Sequence, residues 1–220
     1  MATHARTARN TVRRHPERGA YDSAAIDPIV DAALLCHVGF VVEGQPFVIP
    51  TLHARDGDTI LLHGAAGSRL LKHTATGAPL CITVTHLDGL VLARSVFNHS
   101  INYRSAVLFG AGRVVDDPAE KGAALLRFTE RLLPGRWDGA REPTAKELRA
   151  TGVVAVAIDS ASAKVRSGPP RDDEADLALP VWAGVIPVTE RFGTPLPDEE
   201  GGLAPAFPDY LARFLAARQG

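Results

Sequence analysis

Residues 36–54 read Cys-His-Val-Gly-Phe-Val-Val-Glu-Gly-Gln-Pro-Phe-Val-Ile-Pro-Thr-Leu-His-Ala. Two apolar runs, Cys36–Val42 and Pro46–Ala54, flank the polar break Glu43-Gly44-Gln45. The runs are too short for helices and rich in β-branched and aromatic residues, so they predict two strands of a hairpin. The same grammar continues downstream. Asp56-Gly57-Asp58 turns the chain into a strand at Thr59–His63, and Gly64-Ala65-Ala66-Gly67 leads to a short helix from Ser68. Pro79–Leu87 and Leu90–Phe97 flank Asp88-Gly89, which predicts a second hairpin. Tyr103–Val115 is a long strand whose Gly110 and Gly112 predict a bulge or a corner.

Helices lie outside this block. Asp22 is an N-cap for a helix over 23–35, with Ile26, Ile29, Val30, Ala33 and Leu34 on one face. A second helix starts after Asp117, is apolar along Leu125, Leu126, Phe128, Leu132 and Leu133, and ends at Pro134-Gly135. A shorter helix follows near Thr144–Ala150, then a strand at Val153–Ile158 that Lys164–Ser167 continues. Residues 168–178 read as a loop, Val181–Val188 as a last strand, and Pro208–Ala217 as a short helix. About six closely spaced strands with peripheral helices predict a mainly β fold, an antiparallel barrel. Strands and helices do not alternate, which excludes a doubly wound sheet. Residues 1–20 are Arg-rich and read as a flexible basic arm, and residues 21–220 as a single domain.

The 220 residues carry a net charge of −1, so no general pull toward nucleic acid or anionic membrane is expected. No apolar run approaches the ~20 residues of a membrane helix, and the basic N-terminus has no apolar stretch after it to make a secretory signal. Cys36 and Cys81 sit among apolar neighbours and read as buried thiols of a reducing compartment, the cytoplasm. His53, His63, His86 and His99 show no metal-ligand spacing, so no metal site is expected.

Three segments carry chemistry. His63-Gly64-Ala65-Ala66-Gly67-Ser68-Arg69 is a strand end, a small-residue loop and a helix start. Free backbone N–H groups, a hydroxyl and a fixed cation suit a monophosphate; the same residues also make a plain helix cap. Lys72 lies one turn on. Residues 93–105 concentrate polar side chains, including His99, Tyr103 and Arg104, between apolar strands, as a pocket mouth or a subunit seam does. Trp182 stands among small residues and either offers a flat face to a planar ring or packs in a core.

With Gln45–Thr51, Leu62–Arg69, Ser100–Ser105, Pro134–Trp137 and Val181–Pro187 in this order, the sequence resembles the pyridoxamine 5'-phosphate oxidase-like flavoproteins. Within them it is most similar to the flavin-nucleotide-binding and nitroimidazole-resistance-related branch. The resemblance spans roughly residues 18–190 and implies a six-stranded split barrel that binds FMN at the interface of a homodimer. It implies that Val48, Ile49, Pro50 and Thr51 run beside the isoalloxazine and that His63 and Gly64 face it. It implies that Ser68 and Arg69 hold the phosphate, with Lys72 replacing a family lysine whose position is Leu70 here. Ser105 and Trp182 match flavin-contacting positions, and His99 and Tyr103 are substrate-side candidates. The implied function is a flavin-dependent oxidoreductase acting on a small molecule. Alternatives are a non-catalytic flavin carrier or sensor, a protein for FAD or the deazaflavin F420, and a haem protein with His63 or His99 as axial ligand. The family's Arg and Lys near Pro46–Thr51 and its C-terminal substrate-binding motif are absent, so pyridoxamine phosphate oxidation is not expected.

Overall fold

The structure, a computed structural model, describes residues 3–198 and 206–218. Residues 1–2 of the expected arm and residues 199–205 and 219–220 of the expected domain lie outside the described residues.

The first helix, α1 (Ser23–Ala32), is capped by Asp22, whose side chain accepts the Ala25 N–H at 3.0 Å. The hairpin of residues 36–54 is β2 (Leu35–Val42) and β3 (Gln45–Asp56), after a two-residue strand β1 (Gly19–Ala20). Its turn carries Glu43 and Gly44 at positive φ, the requirement that the glycine meets without strain. Then come β4 (Thr59–Ala65), α2 (Arg69–Thr74), β5 (Pro79–Leu92) and β6 (Ser100–Val114). The chain ends with α3 (Pro118–Leu132), α4 (Ala145–Ala150), β7 (Thr151–Arg166), β8 (Gly184–Pro187) and α5 (Asp209–Ala216). Six antiparallel strands close a ring in the order β7-β4-β3-β2-β5-β6, and β6 pairs back to β7. This is the six-stranded split barrel. β1 adds to β7 and β8 to β5.

Alternation fills the barrel. Cys36, Val38 and Phe40 of β2, Ile82 and Val84 of β5, and Leu108 of β6 point inward, and α1 lays Ile26, Ile29 and Val30 on the same core. A smaller cluster under α3 joins Phe128 and Ala124 to Leu61, Val153 and Ala155. No helix among the described residues is long and apolar enough to cross a membrane.

Four local expectations change. Asp88-Gly89 is not a turn: β5 runs through it, with a register irregularity between Leu87 and Gly89. A Cβ on Gly89 would sit 3.0 Å from Val185 and 3.1 Å from the Ile186 carbonyl, so this glycine admits β8 rather than reversing the chain. The last strand is accordingly short, Gly184–Pro187. The apparent gap between Val153–Ile158 and Lys164 is closed, because β7 is one strand of 16 residues. Its Ser160 and Ser162 are buried, and the N-terminal segment that composition assigned to a flexible arm packs on this strand at Ser160 and Ala161. Asn10 is buried there; its amide donates to the Ala5 and Ala161 carbonyls at 3.0 Å each, and Arg9 Nε donates to Ser160 Oγ at 3.2 Å.

Candidate functional site

The split in the barrel lies along β3. Residues 45–52 pair with β2, whereas only residues 53–56 pair with β4. The other edge of residues 45–52 has no strand beside it among the described residues. Pro46 and Pro50 stand on that stretch. A proline has no N–H for a ladder, so its nitrogen belongs on an unpaired edge. Alternate residues of a strand aim their N–H groups the same way, which places the Val48 N–H on the open edge between two residues that have none. Val48 is 67% exposed, and Pro50 is exposed beside it. Ile49 and Phe47 turn inward onto the core, and Thr51 is half-buried opposite Cys36.

Next to this edge β4 ends at Ala65 and α2 begins. Gly64 is half-buried and paired with Gly152. Ser68 caps α2: its Oγ accepts the Leu71 N–H at 3.3 Å, which leaves the hydroxyl hydrogen free to donate. Arg69 is exposed, and its guanidinium lies 4.3 Å from the centroid of the Phe47 ring. Phe47 stacks on Phe40 at 5.6 Å, and Phe40 on His73 at 4.8 Å. This column fixes the guanidinium beside β3. No carboxylate pairs with Arg69 among the described residues. Lys72 is exposed on the same helix.

An apolar groove of about 520 Å³ runs over the barrel's outer face near this column. Its floor is a register row, Val48–Gly39–Cys81–Phe109, with the two small residues in the middle. His73 also lines it, and the His73 Nε2 is buried without a hydrogen-bond partner among the described residues. The sequence reading missed the groove and the column. The signal for the groove was the outward alternation of Gly39 and Cys81, visible only once register is known.

The other expected residues are dispersed. His63 sits under α3, its ring edge-on to Phe128 at 4.3 Å, so its side chain is engaged there rather than at the β3 edge. Burial holds its imidazole below the ordinary histidine pKa of 6.5. The His99 Nδ1 lies 3.0 Å from the Ser95 carbonyl. Ser105 donates to the Lys164 carbonyl at 3.2 Å, and Tyr103 is half-buried opposite Arg166. Both belong to β6, three strands from β3 whichever way the ring is followed. Trp182 is 64% exposed, with its ring laid over Gly184. Both thiols are free; burial pushes Cys36 up to about 12 and raises Cys81 as well, so neither is a ready nucleophile.

The sequence model of the family described as pyridoxamine 5'-phosphate oxidase matches residues 22–165. Among solved structures, the chain is similar to the flavocytochrome Anf3 from Azotobacter vinelandii: 40% identity, TM-score 0.89, covering 94% of this chain and 96% of that one. It is similar to the FAD and haem binding protein from Mycobacterium smegmatis: 38% identity, TM-score 0.85, covering 90% and 97%. It also resembles a 5-nitroimidazole antibiotic resistance protein, so described, from Bacteroides thetaiotaomicron: 25% identity, TM-score 0.56, covering 66% and 84%. Among curated proteins there is no match.

Proposed function

The chain belongs to the pyridoxamine 5'-phosphate oxidase family, and we propose that it is a homodimeric, cytoplasmic flavin-binding redox protein, with the flavin along the open edge of β3. The observation that carries this reading is Arg69: a cation with no carboxylate partner among the described residues, held by Phe47 beside an unpaired strand edge. Ser68 adds a free hydroxyl donor and Lys72 further positive charge, so the residues fit a nucleotide phosphate. The Val48 N–H is a donor available to a ring heteroatom. Val48 and Pro50 offer an exposed apolar wall. Bound there, the flavin would supply hydride or electron transfer; the protein's part is to orient it and exclude water.

The ring order supports the dimer. Strands lie ~4.8 Å apart, so Ser105 and Tyr103 on β6 are about 14 Å from β3 as followed around the ring, on its opposite side. A second copy brings its β6 to the flavin on the first copy's β3, and Trp182, Tyr103 and His99 to the substrate side. Pyridoxamine phosphate is not the expected substrate, because residues 46–51 lack the family's Arg and Lys and its C-terminal substrate-binding motif is absent.

Both relatives near 40% identity are named for a haem as well as a flavin. This favours a second reading, a two-cofactor protein. The groove suits a flat apolar ring, and His73, rather than His63 or His99, would hold a haem there. FMN and FAD titrations followed by flavin fluorescence test the first reading: saturable quenching is expected, and no quenching by either nucleotide overturns it. A Soret band on haem titration that His73→Ala shifts or abolishes supports the second; no band, or one indifferent to His73→Ala, rejects that assignment.

A further inference from the structure

A cleft at the far end of β7 is lined by residues to which the proposed flavin site gives no role. It holds about 200 Å³ and is lined by Glu17, Arg18, Val165, Arg166, Ser167 and Arg171. Three separate segments bring its arginines together: the turn before β1, the last residue of β7, and the loop beyond it. Arg166 is buried. It donates to Asn102 Oδ1, to the Gly168 carbonyl at 3.4 Å and to the Pro169 carbonyl at 3.2 Å, three neutral acceptors that leave its charge uncompensated.

Glu17 is the one carboxylate among the lining residues. It lies 3.6 Å from Arg18 Nε and 3.1 Å from His15 Nδ1, and it is 59% exposed. Three guanidinium groups against one carboxylate leave the cleft a net +2. Arg55, Arg94, Arg104, Arg113 and Arg141 each pair with a carboxylate, whereas Arg131, like Arg166, donates to backbone carbonyls; what sets Arg166 apart is the two further guanidinium groups beside it. Burial, with Arg18 and Arg171 behind it, lowers the Arg166 pKa, yet a guanidinium keeps its proton. Like charges crowded in a half-closed cleft repel until an anion enters.

We propose that this cleft is an anion subsite that takes a phosphate group. The net +2 matches a dianion, guanidinium forks match its oxygens, and Ser167 supplies a hydroxyl donor. The cleft is smaller than the roughly 300–1,000 Å³ of a whole-ligand pocket, so it receives the phosphate end of a molecule rather than a ring system.

The test is thermal melting of the purified protein against inorganic phosphate, with sodium chloride at matched ionic strength as reference. Saturable stabilisation by phosphate is expected. Arg18→Ala and Arg171→Ala, both away from the core, are expected to weaken it about tenfold each, the scale of one charge-assisted hydrogen bond. Arg69→Ala, at the other candidate phosphate site, is expected to leave this component in place. Flavin titrations of the Arg18→Ala and Arg171→Ala variants identify the source. Unchanged flavin affinity means a phosphate on a separate ligand, and a parallel loss means the nucleotide's own phosphate; either keeps the subsite. Phosphate no better than chloride, or a phosphate effect that both variants retain, overturns it. Since flavin quenching is read independently, failure here leaves the flavin reading standing.

Discussion

Arg69 shows how a single exposed side chain is given a job by its neighbours. An isolated surface arginine samples many rotamers; stacking on Phe47, itself stacked on Phe40, holds this one in place. Arg69→Ala is expected to weaken flavin binding by about ten- to a hundredfold, the loss of one or two charge-assisted hydrogen bonds, in a fluorescence titration. Stability should move by no more than about 0.5 kcal/mol, since the side chain is exposed. The loop and helix start at 63–69 were legible in the sequence, as was the Ser68 cap. The column was not, because it joins residues from β2, β3 and α2 that are adjacent only after folding. Histidines carry a second prediction. Burial holds both His53 and His63 below their ordinary 6.5, so the unfolded chain takes up protons near that value before the folded chain does. Their contribution to stability is therefore full above about pH 6.5 and is lost as pH falls below it. Melting temperatures measured from about pH 7 to about pH 5 should fall, and His63→Leu should flatten that fall.

At the scale of elements, β7 and the N-terminal segment explain each other. Alternating Ser160 and Ser162 look like a strand break in sequence, and an Arg-rich tail looks solvated. Packed together, the tail reaches the Ser160 hydroxyl through Arg9, and Asn10 donates to the Ala161 carbonyl. Asn10→Ala removes the amide that donates to the Ala5 and Ala161 carbonyls and is expected to cost about 1–3 kcal/mol. The melting temperature should drop about 2–4 °C for each kcal/mol. A melting curve identical to that of the unmodified chain would show that the segment is not docked as described. The hairpin at residues 36–54 was legible because its turn demands a residue at positive φ. The false hairpin at Asp88-Gly89 used the same dipeptide signal for a different need, the close passage of β8. Local chemistry cannot separate those two uses of glycine; the partner strand decides.

At the scale of the molecule, the ring order separates the expected flavin contacts. β3 carries Val48–Thr51, while β6, three strands away, carries Tyr103 and Ser105. The proposed dimer would bring the two together on one ring, and Val41 and Val48 are exposed on the outer face. Sedimentation equilibrium should give twice the chain mass at micromolar concentration; a monomer that still binds flavin would remove Ser105 and Tyr103 from the site. Six strands were legible from the spacing of turns, but which strands oppose one another was not, because ring order is a long-range property.

The absorption spectrum of the freshly purified protein, repeated after incubation with FMN, FAD and haem and removal of the free compounds, tests the flavin site most directly. The expected spectrum shows retained flavin bands, which Arg69→Ala diminishes, and a Soret band if haem is bound as well. Protein that stays without flavin bands under all these conditions contradicts a flavin on β3.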